Sequence, residues 1–208
     1  MRVSPVRLLV ASSLVAALCA STGDAGAVSI IKDPNPPKYS VEIEPHLNLN
    51  FGGWGVYHGY NSFGWGPGVR FSIPVLSPGF IKTINNSIAI SFGADLLNYA
   101  GHRYYCNGKN CNAYFDSDSF WALYVPVTMQ WNFWLTDKWS VMGEPGLAIR
   151  HAFVSSDYCN RDFYSDCRSA TELVPAFYAG ARFHFGDTTA LTMKIGFPTF
   201  FSVGVSFF

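Results

Sequence analysis

The chain has 208 residues, with 14 Lys+Arg against 14 Asp+Glu, so its formal charge is zero, and no basic run or stripe marks it for nucleic acid. Only 13% of residues are charged while 17% are aromatic, unlike a water-soluble domain, where about a quarter are charged. The mean hydropathy of +0.14 excludes a bundle of membrane helices and fits strands with one apolar and one polar face.

Residues 1–27 read as a signal peptide. Arg2 and Arg7 give the positive start, Leu8 to Ala20 is apolar and small, and Ala25-Gly26-Ala27 is an A-x-A cleavage site. The apolar run is shorter than the roughly 20 residues a spanning helix needs. A lipid anchor at Cys19 is the alternative, but Leu18 stands where a small residue is wanted. Without residues 1–27, which hold Arg2, Arg7 and Asp24, 12 basic and 13 acidic residues remain. Residues 28–39 (VSIIKDPNPPKY) form a Pro-rich lead-in, predicted to be extended and mobile.

From residue 40 the pattern changes to period-two alternation, the mark of a strand with two unlike faces. Val41–Phe51 sets Val41, Ile43, Leu47, Leu49 and Phe51 against Glu42, Glu44, His46, Asn48 and Asn50. Phe63–Val75 opposes Phe63, Trp65, Val69, Phe71, Ile73 and Val75 to Arg70 and Ser72. Ser87–Leu96 opposes Ile88, Ile90, Phe92 and Leu96 to Ser87, Ser91 and Asp95. Phe120–Leu135 opposes Trp121, Leu123, Val125, Val127, Met129, Trp131 and Phe133 to Tyr124, Thr128, Gln130 and Asn132. Trp139–Val154 sets Val141, Leu147, Ile149 and Phe153 against Ser140, Glu144 and Arg150. Glu172–Phe185 sets Leu173, Phe177, Phe183 and Phe185 against Glu172, Tyr178, Arg182 and His184. Leu191–Phe197 alternates with Thr192 and Lys194, and Phe201–Phe207 with Ser202 and Ser206.

These eight segments predict an all-β fold, an eight-stranded antiparallel up-and-down transmembrane β-barrel over residues 40–208. A secreted soluble barrel of lipocalin type is the rival, but its outward face would be polar, whereas here one face of every strand is almost free of charge. Long connections at 52–62, 100–119 and 155–171 fall on one side and short turns at 136–138 and 187–189 on the other. Outer-membrane barrels share this asymmetry, with long loops outside and short turns in the periplasm. The connection at 77–86 is a longer turn on the periplasmic side. Aromatics gather toward both strand ends, as two membrane–water girdles require. Pro45, Pro67, Pro74, Pro126, Pro145 and Pro175 fall inside these strands, and bulges with local slips of facing are expected beside some of them.

Both cysteine pairs, Cys106/Cys111 and Cys159/Cys167, lie in long loops on the outer side. Cleavage after residue 27 would remove Cys19, and the even count of four that remains in an exported chain points to disulfides. Zinc is the alternative, although C-x4-C and C-x7-C do not match its usual spacing.

The closing stretch Leu191-Thr-Met-Lys-Ile-Gly-Phe-Pro-Thr-Phe-Phe-Ser-Val-Gly-Val-Ser-Phe-Phe208 resembles the final hairpin and terminal-Phe signal of small outer-membrane barrels of the OmpA/OmpX/OmpW type. The resemblance covers residues 40–208 as a pattern. It implies assembly-machinery recognition through Phe201, Val203, Val205, Phe207 and Phe208, with Phe208 out of phase with the outward series. It also implies outer-membrane lipid and lipopolysaccharide as surroundings, with both chain ends periplasmic. The family includes anchors, adhesins, small-solute channels and lipid-modifying enzymes, so it leaves function open.

The polar faces together bring Glu42, Glu44, Asp95, Glu144 and Glu172 into the lumen with Arg70, Arg150, Arg182, Lys194, His46 and His184. Eight strands leave little bore, so the expected arrangement is an ion-pair network that plugs the barrel; a narrow small-solute channel is the alternative. A lipid-modifying enzyme is a second alternative, but no histidine heads the His-x-Ser pair expected of an outer-membrane deacylase. His102 and His151 lie near the loop-side rim with Ser155, Ser156 and Asp157. Asp116-Ser117-Asp118 and Asp157, Asp162 and Asp166 are loop acids that could meet a divalent cation or lipopolysaccharide. The Tyr-rich loop tips suit an unidentified surface ligand. The reading is a monomeric, non-enzymatic outer-membrane barrel with a structural or surface-recognition role and no cofactor or metal.

Overall fold

The computed structural model describes residues 29–32, 36, 38–51, 60–107, 110–153 and 171–208. The expected signal peptide, Cys159, Cys167 and the acids Asp157, Asp162 and Asp166 lie outside them. The strands are β1 (Glu42–Phe51), β2 (Tyr60–Leu76), β3 (Asn86–Asn107), β4 (Asn110–Trp134), β5 (Trp139–Phe153), β6 (Thr171–His184), β7 (Thr189–Phe197) and β8 (Phe201–Phe207). Each pairs antiparallel with its neighbour in sequence, and β1 closes on β8 through Ile43↔Phe207 and Leu49↔Phe201. Closure removes both sheet edges, so the backbone polar groups are met within the sheet, as hydrocarbon surroundings demand.

Alternation decides what faces where. The even residues Glu42 to Asn50 of β1 are buried, while Val41, Ile43, Leu47 and Phe51 are exposed. The same split runs around the barrel, leaving Trp65, Ile73, Phe92, Val127, Leu147, Ile149, Phe177 and Ile195 outside. Val127, in mid-strand, is 54% exposed. A continuous apolar belt wrapped around a polar interior belongs against lipid, since a soluble monomer rarely exposes an apolar patch larger than a few hundred Å². Ring contacts mark both rims: Phe51 meets Phe63 and Phe200 at 5.2 and 5.8 Å at the loop side, and Phe183 meets Trp139 and Phe185 at 5.0 and 5.3 Å at the turn side.

Several expectations change. Residues 100–119 are not a loop: β3 and β4 run on as a paired hairpin to Cys106↔Cys111 and Asn107↔Asn110, with a register shift between Gly101 and Arg103. Residues 101–119 lack apolar alternation in sequence, yet the Tyr- and Phe-rich strands stay paired. The prolines do not turn the facing over. Pairing skips Pro45 between Ile43↔Phe207 and His46↔Gly204, and Pro67 between Trp65↔Asn98 and Gly68↔Asp95, and resumes in the same register each time. Each proline breaks the ladder only on the side its missing N–H would have served. The register shift beside a strand proline is between Pro74 and Leu76.

Residues 29–31 of the lead-in are tied down where mobility was expected. Ser29 bridges Thr136, Ile30 N–H donates to Leu135 O (3.2 Å), and Asn85 N–H donates to Ile31 O (2.7 Å). Asn85 also donates through Nδ2 to Ile30 O (3.3 Å) and accepts from Trp134 N–H (3.0 Å). One residue thereby ties three turn-side segments together.

Candidate functional site

The lumen is the site. Its side chains come from the inward series of nearly every strand, and their charges meet across the bore as well as between neighbours. β1 brings Glu42, Glu44 and His46 to one wall, spaced two residues apart so that all three point inward. Arg182 of β6, fully buried, pairs with Glu42 and lies 3.9 Å from Glu44. Lys194 Nζ of β7 lies 2.8 Å from Glu44 and 3.0 Å from Glu144 of β5. His46 continues the chain: Nδ1 is 3.6 Å from Glu44 and Nε2 is 2.8 Å from Asp95 Oδ1 of β3. Arg70 of β2 closes on Asp95 with two bonds, 2.9 and 2.7 Å, in the bidentate geometry that suits a guanidinium. Buried charges are tolerable only when paired in this way, because unpaired ones cost several kcal/mol.

Neutral groups complete the cross-section. With its carbonyl turned to Arg182, Gln130 accepts from that guanidinium (3.3 Å to NH1) and donates to Ser72 Oγ (2.7 Å). Arg182 also donates to Asn132 Oδ1 at 3.1 Å. The Arg70 guanidinium lies over the Tyr178 ring, 5.5 Å from its centroid. Above this layer, Tyr99 and Tyr124 share a 2.9 Å hydroxyl bond, and Asn50 Nδ2 donates to Tyr99 (3.0 Å) and to Pro198 O (3.0 Å). Gly68 leaves room for the network: a Cβ there would displace Asp95 Oδ1 and His46 Nε2.

The ends differ. At the loop side Arg150 NH2 donates to Glu172 Oε2 at 2.7 Å, with Glu172 half exposed, so this pair borders open water. At the turn side a ring stack crosses the mouth. Trp134 packs on His184 (4.9 Å), His184 on Phe208 (5.6 Å), and Phe208 on Tyr39 from the lead-in (5.1 Å). Arg182 stands 5.6 Å over the Phe208 ring. The phase shift of Phe208 thus has a cause: Phe201, Val203, Val205 and Phe207 alternate with buried Ser202 and Ser206, while Phe208 turns into the mouth. Burial lifts the Tyr39 phenol, outside the strands, to about 12.

His184 Nε2 lies 2.9 Å from Ser140 Oγ, but its ring is held between Trp134 and Phe208, with no carboxylate contact among the described residues. His151 Nδ1 meets Thr171 Oγ1 at 2.8 Å at the exposed loop-side rim. No group of three or more His, Cys, Asp or Glu among the described residues is placed to hold a metal ion. The sequence reading missed Tyr39 and Tyr99. Tyr99 continues the inward phase of β3 past Leu96, so extending the alternation three more residues would have found it.

No family model matches this chain, and no curated protein does. Among solved structures it is similar to the outer membrane protein Ail of Yersinia pestis in a phospholipid bilayer nanodisc, at 14% identity and a TM-score of 0.41, over 81% of this chain and 99% of that one.

Two outcomes follow from the network. Arg70→Met leaves Asp95 buried with His46 alone and is expected to cost about 3–5 kcal/mol, whereas Arg70→Met with Asp95→Leu recovers much of that loss. Urea unfolding in detergent micelles, at unchanged slope, measures both. A phenol raised above its ordinary value of about 10 contributes stability that is full below that pH and is lost as pH rises toward about 12. Tyr39→Phe is expected to flatten that alkaline fall in the unfolding midpoint.

Proposed function

We propose that the chain is an integral bacterial outer-membrane protein whose filled lumen makes it a scaffold for its outer loops rather than a conduit or an enzyme. The observation that carries this reading is the cross-bore ion-pair set: Glu42–Arg182 joins β1 to β6, Glu44–Lys194 joins β1 to β7, and Lys194–Glu144 joins β7 to β5. A conducting path needs open polar bore, and these contacts occupy it. The turn-side ring stack supports the same conclusion at the mouth.

Residues 1–27 would direct export. The length of the β3–β4 hairpin, against the tight turns after β4 and β6, supports an orientation with the hairpin outside and both ends periplasmic. Lipopolysaccharide and phospholipid are then its surroundings, and the assembly machinery its partner during insertion, reading Phe201, Val203, Val205, Phe207 and Phe208. A monomer fits the closed sheet. Surface recognition is the role best suited to a Tyr-rich hairpin that prolongs the barrel wall. Cys106 and Cys111 stand directly opposite in the ladder. Facing residues of an antiparallel pair have Cα atoms about 4.5–5.5 Å apart, within the range a disulfide bridges. Cys159 and Cys167 would form the second bridge.

Purified protein in a planar lipid bilayer is expected to leave the membrane electrically silent; steady unitary currents would overturn the plugged reading in favour of a channel. Thiol labelling of the unfolded protein should find Cys106 and Cys111 blocked until reductant is added. Labelling of both without reductant would show that they are not bridged.

A further inference from the structure

The turn between β2 and β3 does not hang below the barrel. Gly79 N–H donates to Asn86 O (2.7 Å), and Asn86 Nδ2 donates to Ile81 O and Ile84 O at 2.6 and 2.8 Å. Asn86 and Trp131 both lie on the outward phase of their strands, and Trp131 Nε1 donates to Asn86 Oδ1 at 3.1 Å. Phe80 sets its ring edge-on to Trp131, 6.2 Å between centroids. Ile88, outward and paired with Trp131 and Leu76, is only 3% exposed, whereas Ile90 one step along the same face is 41% exposed. The turn is therefore folded up against the outer wall at this corner.

Beside it runs the lead-in, fixed to Asn85 through Ile30 and Ile31. The two segments form one ledge. Its apolar residues are Phe80, 67% exposed, with Ile31 and Ile81, and Val75 and Leu76 at the end of β2 are exposed as well. Lys32 and Lys82 are exposed on it. The described turn-side segments carry Lys32, Lys38, Lys82 and Lys138 against Asp137 and Asp187.

We infer that this ledge is an anchor that seats the turn-side rim in the headgroup layer of a phospholipid leaflet, with Ile31, Phe80 and Ile81 entering the acyl boundary and Lys32 and Lys82 meeting phosphates. The inference rests on the membrane-spanning reading. Aromatic rings settle at this depth, and lysines keep an apolar stem in the boundary while the ammonium reaches the phosphate plane. Anionic headgroups add about 1 kcal/mol of attraction per basic residue near the surface. A water-facing turn has no reason to fold its most apolar residues back onto the lipid belt.

Nuclear magnetic resonance of the full barrel in nanodiscs tests it without altering the chain. With doxyl-labelled lipid, amide signals of Ile31, Phe80 and Ile81 are expected to vanish while those of Asp187 and Thr188 persist. A water-soluble gadolinium chelate should give the reverse. Ledge signals that follow Asp187 and Thr188 overturn the anchor while leaving the barrel in the membrane. Val127 and Ile149 report the belt itself: their signals surviving doxyl lipid would overturn the spanning reading and the anchor with it. In discs containing phosphatidylglycerol, the K32E/K82E variant is expected to regain part of the Phe80 signal, and an unchanged loss would overturn the phosphate contact.

Discussion

Glu44 is the junction on which the interior depends. Lys194, His46 and Arg182 approach its carboxylate at 2.8, 3.6 and 3.9 Å. Through Lys194 it reaches Glu144, through Arg182 it shares a cation with Glu42, and through His46 it connects to Asp95 and Arg70. The constraint behind this arrangement is that a chain facing hydrocarbon on its outer side must put its polarity inside, and an eight-stranded bore is only wide enough for side chains. Charges brought into that space either find partners or prevent closure. Glu44 lets the ion pairs of six strands, β1, β2, β3, β5, β6 and β7, join as one network.

How much of this was legible follows from which physics leaves a trace in sequence. Strand number and facing were readable because the lipid imposes period-two alternation on every wetted–greased strand, and that signal survives six internal prolines. Pro45 and Pro67 interrupt hydrogen bonding on one side without adding a residue, so the phase continues through them. The hairpin beyond Gly101 was not readable because residues 101–119 carry no apolar alternation, although the backbone pairing persists. The inward series named the charged side chains, yet not their pairing. That Glu42 meets Arg182 across the bore depends on strand stagger and barrel closure, which no local pattern encodes. Tyr39 and the docking of residues 29–31 escaped notice because a Pro-rich segment reads as linker until the backbone groups of Asn85 and Leu135 are there to receive it.

The two mouths are built on different principles. At the loop side the last ion pair, Arg150–Glu172, is half solvated, so it contributes little holding power, as exposed pairs do. At the turn side, closure is aromatic and draws on residues from β4, β6, the end of β8 and the lead-in. Aromatic contacts add to their buried area without demanding a charge partner. The lead-in enters this end twice, through Tyr39 in the mouth and through Ile30 and Ile31 on the outer ledge.

If the lumen is plugged as proposed, the barrel has little freedom to gate. Opening the bore would require separating Glu44 from Lys194 or Glu42 from Arg182, and breaking one buried pair costs about 3–5 kcal/mol before any solute gains a path. Because each carboxylate shares its cation, that disturbance passes to the next pair, and the whole cross-section resists change as a unit. Rigidity at the centre suits a different task. A paired hairpin that rises from β3 and β4 beyond the belt inherits its direction from the barrel wall, so the stiffer the wall, the less orientation entropy a surface contact must sacrifice on binding. The lumen network would then serve recognition at the far end of the same strands, with the closed bore as the condition for a well-aimed hairpin.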